Sequence, residues 1–318
     1  MFETPILFQT FARVEYARKV WESIKDIKPR KLYFYSNKGR AEKAGEIERN
    51  EEIRSWVKEI DWDCELHTWF REECVDVYTS LKGATSWLFE HEEQGIILED
   101  DIVPTRAFYS FVEQMLNKFK NNKNVWYVSG DNFYDLNPSG TDYIFSRYHW
   151  MYGWATWRDR WNSIKWGDFD LQKILDNKVC YELYKTKQQA RNRENQILSF
   201  REMLLKTNDW DYAFGLTVDY NKGVGVFPKK HLIHNIGLSG ENHAKPIKTF
   251  VNIEPTYKDD TYIIINEPKE VEADIEFDYQ YYRIRKKAIP LYFKLCKKII
   301  RLFLSENTIQ KIKKKLGR

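Results

Sequence analysis

The 318-residue chain is poor in cysteine, proline and glycine, with four, nine and fourteen residues respectively. Its cysteines, Cys64, Cys74, Cys180 and Cys296, lie far apart and form no C-x-x-C pair. That spacing suggests neither a zinc cluster nor a disulfide framework, and it fits a reducing cytoplasm. No usable N-x-[ST] glycosylation acceptor occurs. Nowhere do about eighteen apolar residues run together, so no segment is expected to cross a membrane. The opening Met1-Phe2-Glu3-Thr4-Pro5 lacks the basic and apolar regions of a signal peptide and runs straight into a strand. Phosphate-binding glycine motifs are missing too: neither G-x-G-x-x-G nor G-x-x-x-x-G-K-[ST] is present, which disfavours a dinucleotide site and a P-loop. H-E-x-x-H and G-x-S-x-G are absent, so zinc proteolysis and α/β-hydrolase chemistry have no anchor. No internal repeat or low-complexity segment is visible.

Charge and aromatic residues are plentiful. Charged residues make up 31% and mean hydropathy is -0.66, as expected of a soluble globular chain large enough to bury a substantial core. The 12 Trp and 20 Tyr suit sugar rings and bases, although large α/β cores also use them. The net charge of +4 is uneven. From Arg283 onward there are thirteen Lys and Arg against the single acid Glu306, a local +12 that leaves the rest of the chain at −8.

Apolar runs and helical spacings alternate through the first half. Strands are predicted at Pro5–Gln9, Lys31–Tyr35, Cys64–Trp69, Gly95–Leu98 and Val125–Ser129, and helices at Val14–Ile27, Glu46–Ile60, Val75–Glu92 and Thr105–Lys120. Strand–helix units of about 30 residues argue for a parallel, doubly wound sheet. The second half is less regular, with an aromatic turn at Trp150–Trp161, a helix around Glu194–Lys206 and a segment at Gly223–His243. Residues 246–282 read as an extended acidic linker.

The most informative stretch is Gly95-Ile96-Ile97-Leu98-Glu99-Asp100-Asp101, where a buried strand ends in three consecutive carboxylates. Ligands of open α/β sheets sit beyond the carboxyl ends of such strands. Adjacent acids repel one another unless a cation or a set of donors is brought to them. Mg²⁺ and Mn²⁺ take oxygen ligands and need few protein carboxylates when substrate phosphates complete the shell. The alternative is a solvated acidic turn ahead of the next helix.

Four stretches, in order, resemble the GT-A glycosyltransferases, in particular the group of N-acetylglucosaminyltransferase I and its bacterial relatives. They are Pro5-Ile6-Leu7-Phe8-Gln9-Thr10-Phe11, the acidic triplet with its strand, Met151-Tyr152-Gly153-Trp154-Ala155-Thr156-Trp157, and Asn235-Ile236-Gly237 with the following His243. The loops Phe11-Ala12-Arg13 and Ser36-Asn37-Lys38 depart from the pattern, which often has Asn before the Arg and a base-contacting Asp, and they leave the nucleotide open. The resemblance implies an α/β, Rossmann-like GT-A domain over residues 1–245, with a mostly parallel sheet flanked by helices. It implies Asp101 and His243 as metal-site residues for Mn²⁺ or Mg²⁺. Thr10, Phe11, Arg13, Ser36, Arg71, Glu99 and Asp100 would serve the donor, a UDP-sugar first, with a surface ion pair to Glu72 or Glu73 as the alternative for Arg71. Gly153 and Trp154 would border the sugars, while Trp157 and Trp161 read as core. For an inverting transfer the base would be Asp211, or Asp209, in Asn208-Asp209-Trp210-Asp211-Tyr212, with a helix cap as the alternative for Asp209.

Residues 283–318 carry Ile289, Tyr292, Phe293, Cys296, Ile299, Ile300 and Phe303 at helical spacing, opposite Lys294, Lys297, Lys298 and Arg301. An apolar stripe with a lysine face matches a helix lying in the headgroup plane of an anionic membrane. A helix docked on the catalytic domain is the alternative, and a nucleic-acid partner is not expected. Together these readings describe a cytoplasmic enzyme, peripheral on the inner face of the membrane, that transfers a sugar to a glycan or glycolipid acceptor such as growing lipopolysaccharide or capsule. A non-catalytic carbohydrate- or lipid-binding module and a sugar nucleotidyltransferase are the rival readings.

Overall fold

The computed structural model describes residues 2–166, 179–207, 209–238 and 254–288. The first half builds β1 (Ile6–Thr10), α1 (Val14–Ile27), β2 (Lys31–Ser36), α2 (Glu46–Ser55), β3 (Glu65–Phe70), α3 (Val77–His91) and β4 (Gln94–Glu99). Next come β5 (Ile102–Pro104), α4 (Arg106–Phe119), β6 (Val125–Ser129), β7 (Tyr143–Ser146), β8 (Trp154–Trp157) and α5 (Arg158–Asn162). The remaining described elements are α6 (Val179–Leu183), α7 (Lys187–Thr207), α8 (Trp210–Tyr220), β9 (Val224–Pro228), β10 (Ile233–Asn235) and α9 (Ile275–Ala288).

Eight strands form one sheet in the order β3-β2-β1-β4-β8-β6-β9-β7. The half from β3 to β4 is parallel, with Ile6 opposite both Leu32 and Ile96. β1, β2 and β4 are buried on both faces, which is why they read as apolar runs, whereas the edge strand β3 is partly exposed. Side chains alternate at a period of two. Ile6, Phe8, Phe34, Ile96 and Leu98 therefore meet α1 and α4, while Leu7, Tyr33, Tyr35 and Ile97 meet α3 and α8. The expected α/β architecture is the observed one.

The aromatic turn proves to be a strand. Trp154–Trp157 runs antiparallel between β4 and β6, pairing Ile97 with Trp154 on one side and Ser129 with Trp154 on the other. The run reads poorly as a strand because it is buried on both faces and so shows no alternation of apolar and polar residues, as in a strand with no solvent side. Gly153 enters it at φ +65, and a Cβ there would lie 3.0 Å from Ile233 Cγ2 and 3.1 Å from Ile102 Cγ2. A side chain would meet both the left-handed backbone and that packing.

The acidic triplet does not turn directly into a helix. β5 intervenes and pairs antiparallel with β10, Asn235 opposite Ile102, while the Ile236 N–H donates to the Asp101 carbonyl at 3.0 Å. β7 also went unread in the sequence, and α8 was anticipated only as the helix-cap alternative at Asp209.

The compact unit continues past residue 245, through Tyr279. Its described part from Glu254 to Asp274 has neither helix nor strand, yet it is not a free linker. Asp142 Oδ2 accepts from the N–H groups of Ile265 and Asn266, both at 2.7 Å. Tyr262 is buried, its ring 4.8 Å from Phe111 and 4.7 Å from Tyr257. The amphipathic tail from residue 289 lies outside the described residues.

Candidate active site

Strand order reverses between β1 and β4, since β2 leads away from β1 on one side and β4 lies on the other. Such a switch point opens a crevice beyond the strand ends. A cleft of about 970 Å³ lies there, lined among others by Thr10, Phe11, Arg13, Asn37, Glu99 and Asp100.

The floor is acidic. Asp100 is 4% exposed, and burial raises its carboxyl against the opposing pull of Arg13. Glu99, half-buried at the end of β4, is also raised, by burial and then by Asp101 and Asp100. Arg13 supplies the countercharge. Its Nη2 pairs with Asp100 Oδ1 and its Nη1 with Asp101 Oδ2 at 2.9 Å. Arg13 occupies the N-cap position of α1 but makes no side-chain capping bond, because a guanidinium has no acceptor to offer the helix N–H groups, and it donates to the acids instead.

The carboxylates suit a hard divalent cation. Asp100 Oδ2 is buried with no hydrogen-bond partner among the described residues, and Asp101 is partly open. No group of three His, Cys, Asp or Glu forms a closed metal cage among the described residues. A Mg²⁺- or Mn²⁺-type ion completed by substrate phosphates does not need one. Gly237 adds a spatial constraint, since a Cβ there would fall 2.0 Å from Asp101 Oδ2. His243 lies outside the described residues.

Other predicted donor residues divide. Thr10 and Phe11 line the cleft, with Thr10 Oγ1 donating to the Tyr35 carbonyl at 3.0 Å and Arg40 lying over the Phe11 ring. Ser36 does not reach the cleft. It is fully buried and accepts from Asn50 Nδ2 at 3.0 Å and Arg54 Nε at 3.2 Å. Asn37 lines the cleft in its place, its amide tied to Val75 and to the Lys38 N–H. Arg71 turns away from the cleft and toward the sheet. Its Nε donates to Tyr35 Oη at 2.5 Å and its guanidinium lies 4.5 Å from the Trp69 ring, while Glu72 and Glu73 face the cleft.

Trp154 does not offer an open platform either. It is 1% exposed and stacks on Trp210 at 5.2 Å with the planes 13° apart. Trp157 and Trp161 are buried as well, in keeping with their reading as core. The Trp154–Trp210 stack seats the first turn of α8, whose N-cap is Asp209, with Asp209 Oδ1 accepting from the Asp211 N–H at 3.4 Å. Asp211 has an open side chain but stands in a concave, protein-crowded surface. That crowding, followed by the neighbouring Asp209, raises its carboxyl to about 8.

Two residues not singled out by the sequence complete the arrangement. Burial first, and then the charges of Asp131, Glu99, Asp211 and Asp101, raise the Tyr152 phenol. Asp131 is 1% exposed just beyond β6, and burial raises its carboxyl strongly. Its Oδ2 accepts from Ser129 Oγ at 3.0 Å and the Tyr152 N–H at 3.1 Å, while Oδ1 has no partner among the described residues. The signal was present as Ser129-Gly130-Asp131, a second apolar strand ending in an acid, but only the sheet order brings it to the same sheet edge as the first, with β8 between them.

No protein-family model matches the chain, and no curated sequence matches it. Solved structures do show likenesses. The mannosyltransferase PcManGT from Pyrobaculum calidifontis, in complex with GDP-Man and Mn²⁺, is 16% identical with a TM-score of 0.35, over 49% of this chain and 44% of that one. HddC from Yersinia pseudotuberculosis is 9% identical with a TM-score of 0.27, over 41% of this chain and 57% of that one. An apo UDP-glucose pyrophosphorylase is 8% identical with a TM-score of 0.34, over 74% and 93%. The chain thus spans less than two thirds of the length of the first two.

A core role for Trp154 has a measurable consequence. Trp154→Ala is expected to lower unfolding stability by about 3–5 kcal/mol, the cost of truncating a buried indole. A denaturant midpoint unchanged from wild type would return Trp154 to the role of a cleft platform.

Proposed function

We infer that the protein is a metal-dependent glycosyltransferase that takes a nucleoside-diphosphate sugar, a UDP-sugar first, in the cleft beyond β1, β2 and β4. The observation that carries this reading is the acidic triplet at the sheet's switch point, where Glu99 and Asp100 line a cleft of nucleotide size and Glu99 lies within the electrostatic reach of Asp211. The amino end of α1 and the Arg13 guanidinium face the same space and suit an anionic diphosphate. Asp101, with the free oxygen of Asp100, would hold Mn²⁺ or Mg²⁺, which when bound supplies Lewis-acid stabilisation of the diphosphate leaving group. Asp211 takes the proton of the acceptor hydroxyl, the role expected in an inverting transfer, with Asp209 setting its basicity. Glycosyl transfer is favoured over nucleotidyl transfer because the loop Thr10-Phe11-Ala12-Arg13 is not glycine-rich.

The test is a thermal-shift screen of nucleotide sugars with and without Mn²⁺, followed by a transfer assay with the donor that binds. A matching donor raises Tm by mass action, and only with metal. Asp101→Ala is expected to lose both that shift and turnover while keeping its fold. Transfer in excess EDTA, or full activity of the variant, overturns the reading.

A raised Asp211 carboxyl dictates the direction of the pH profile. A base works deprotonated, so kcat/KM is expected to rise with pH through an apparent pKa near 8. Asp209→Asn removes a neighbouring negative charge and should move that limb to lower pH. Asp211→Asn should remove the limb and lower turnover by about 10²–10⁴-fold with donor binding retained.

For the acceptor we infer a surface glycan or glycolipid, such as lipopolysaccharide or capsule, met at the inner face of the cytoplasmic membrane. The support is the tail's thirteen basic residues beside an apolar stripe. Full-length protein should co-sediment with anionic vesicles at low salt and detach at high salt, as screening shortens the reach of the charges. Loss of binding on removal of residues 283–318, with activity on a short soluble acceptor retained, is the expected outcome. A full-length protein that ignores the vesicles refutes it.

A further inference from the structure

We propose that Arg13 is an internal counter-cation that holds the metal-binding carboxylates closed until metal and nucleoside diphosphate arrive together. The proposal rests on the reading of Asp100 and Asp101 as the metal site and concerns how that site is loaded.

One guanidinium bridges both aspartates: Nη2 to Asp100 Oδ1, and Nη1 to Asp101 Oδ2 at 2.9 Å. Asp101 Oδ2 is an oxygen that a divalent cation would also use, together with Asp100 Oδ2, which Arg13 leaves without a partner. Asp100 is 4% exposed, so without Arg13 its charge would be buried beside those of Glu99 and Asp101. Isolated buried charge is costly, and a well-placed partner offsets the cost. Arg13 therefore lets the strand end fold with no metal present.

The same pairing penalises a metal that comes alone. It must displace the guanidinium from Asp101, leaving two cations side by side with no new anion. A diphosphate changes that balance. Arg13 lines the cleft and its side chain is 31% exposed, so it can turn outward without unpacking the core. With a diphosphate in the cleft, the released guanidinium has phosphate oxygens to pair with. Metal and nucleotide affinities are then positively coupled, and linkage makes that coupling reciprocal. When the diphosphate product leaves, Arg13 closes back onto the aspartates.

The experiment measures Mn²⁺ binding by electron paramagnetic resonance of free Mn²⁺, on the full chain, with no sugar donor or acceptor. Wild type, Arg13→Gln and Arg13→Lys are each titrated alone and with UDP or GDP. Wild type is expected to bind Mn²⁺ weakly alone and tightly with a nucleoside diphosphate. Arg13→Gln should bind Mn²⁺ alone about ten-fold more tightly than wild type and lose most of the coupling. Its melting temperature should also respond more to Mn²⁺ alone, because the metal replaces the missing countercharge. Arg13→Lys keeps a charge but not the two-pronged fork, so it should fall between the two, and it serves if the glutamine variant does not fold. If wild type takes up Mn²⁺ with a diphosphate through Asp101, as an Asp101→Asn control reports, while neither Arg13 variant gains affinity for Mn²⁺ alone, the counter-cation role is overturned and the proposed function stands. If no protein takes up Mn²⁺ with either diphosphate, both readings fall.

Discussion

Three carboxylates in succession at the end of a central strand are the constraint around which the rest of the site is arranged. Glu99, Asp100 and Asp101 cannot all remain ionised in a recessed cleft without positive charge nearby. Arg13, brought there by the β1–α1 turn, meets two of them with one planar group. Its position follows from the parallel pairing of β1 with β4, which sets Gln9 opposite Glu99 and delivers both strand ends to the same edge. The β5–β10 pair and the close approach of Gly237 to Asp101 fix the far side of the acidic turn.

The opposite wall depends on aromatic packing. β8 is wedged antiparallel between β4 and β6, and its first residue, Trp154, stacks on Trp210 at the start of α8. Those indoles belong to the core, but they seat the α8 N-terminus, with Asp209 and Asp211, so that Asp211 is within electrostatic reach of Glu99. A buried stack is stiff, so it suits the positioning of a group that must act at a fixed point. The tryptophan-rich segment serves the site by holding it in place.

The chain beyond β10 reinforces the same body. Asp142 captures two backbone N–H groups of the 254–274 segment and pairs with Lys229, which keeps its carboxyl below the usual range against the cost of burial. Asp278, at the start of α9, accepts from Ser146 Oγ at 2.6 Å, and burial raises it to about 7. A segment with acidic, extended composition becomes structural because individual acids find buried donors, which composition does not report.

By itself the sequence determined the alternating strands and helices of the first half, the apolar strand ending in Glu99-Asp100-Asp101, and the cap-or-base ambiguity of Asp209 and Asp211. These are local patterns, readable because burial on both faces and helical periodicity leave their mark within a few residues. Tertiary structure alone decided that Arg13 faces two aspartates about ninety residues away, that Ser36 and Arg71 turn into the fold, and that Trp154 is core. It also decided that Asp131 and Tyr152 join the carboxylates. Each of these depends on strand order and on which long-range neighbour competes for a side chain, and that competition is resolved only when the sheet closes.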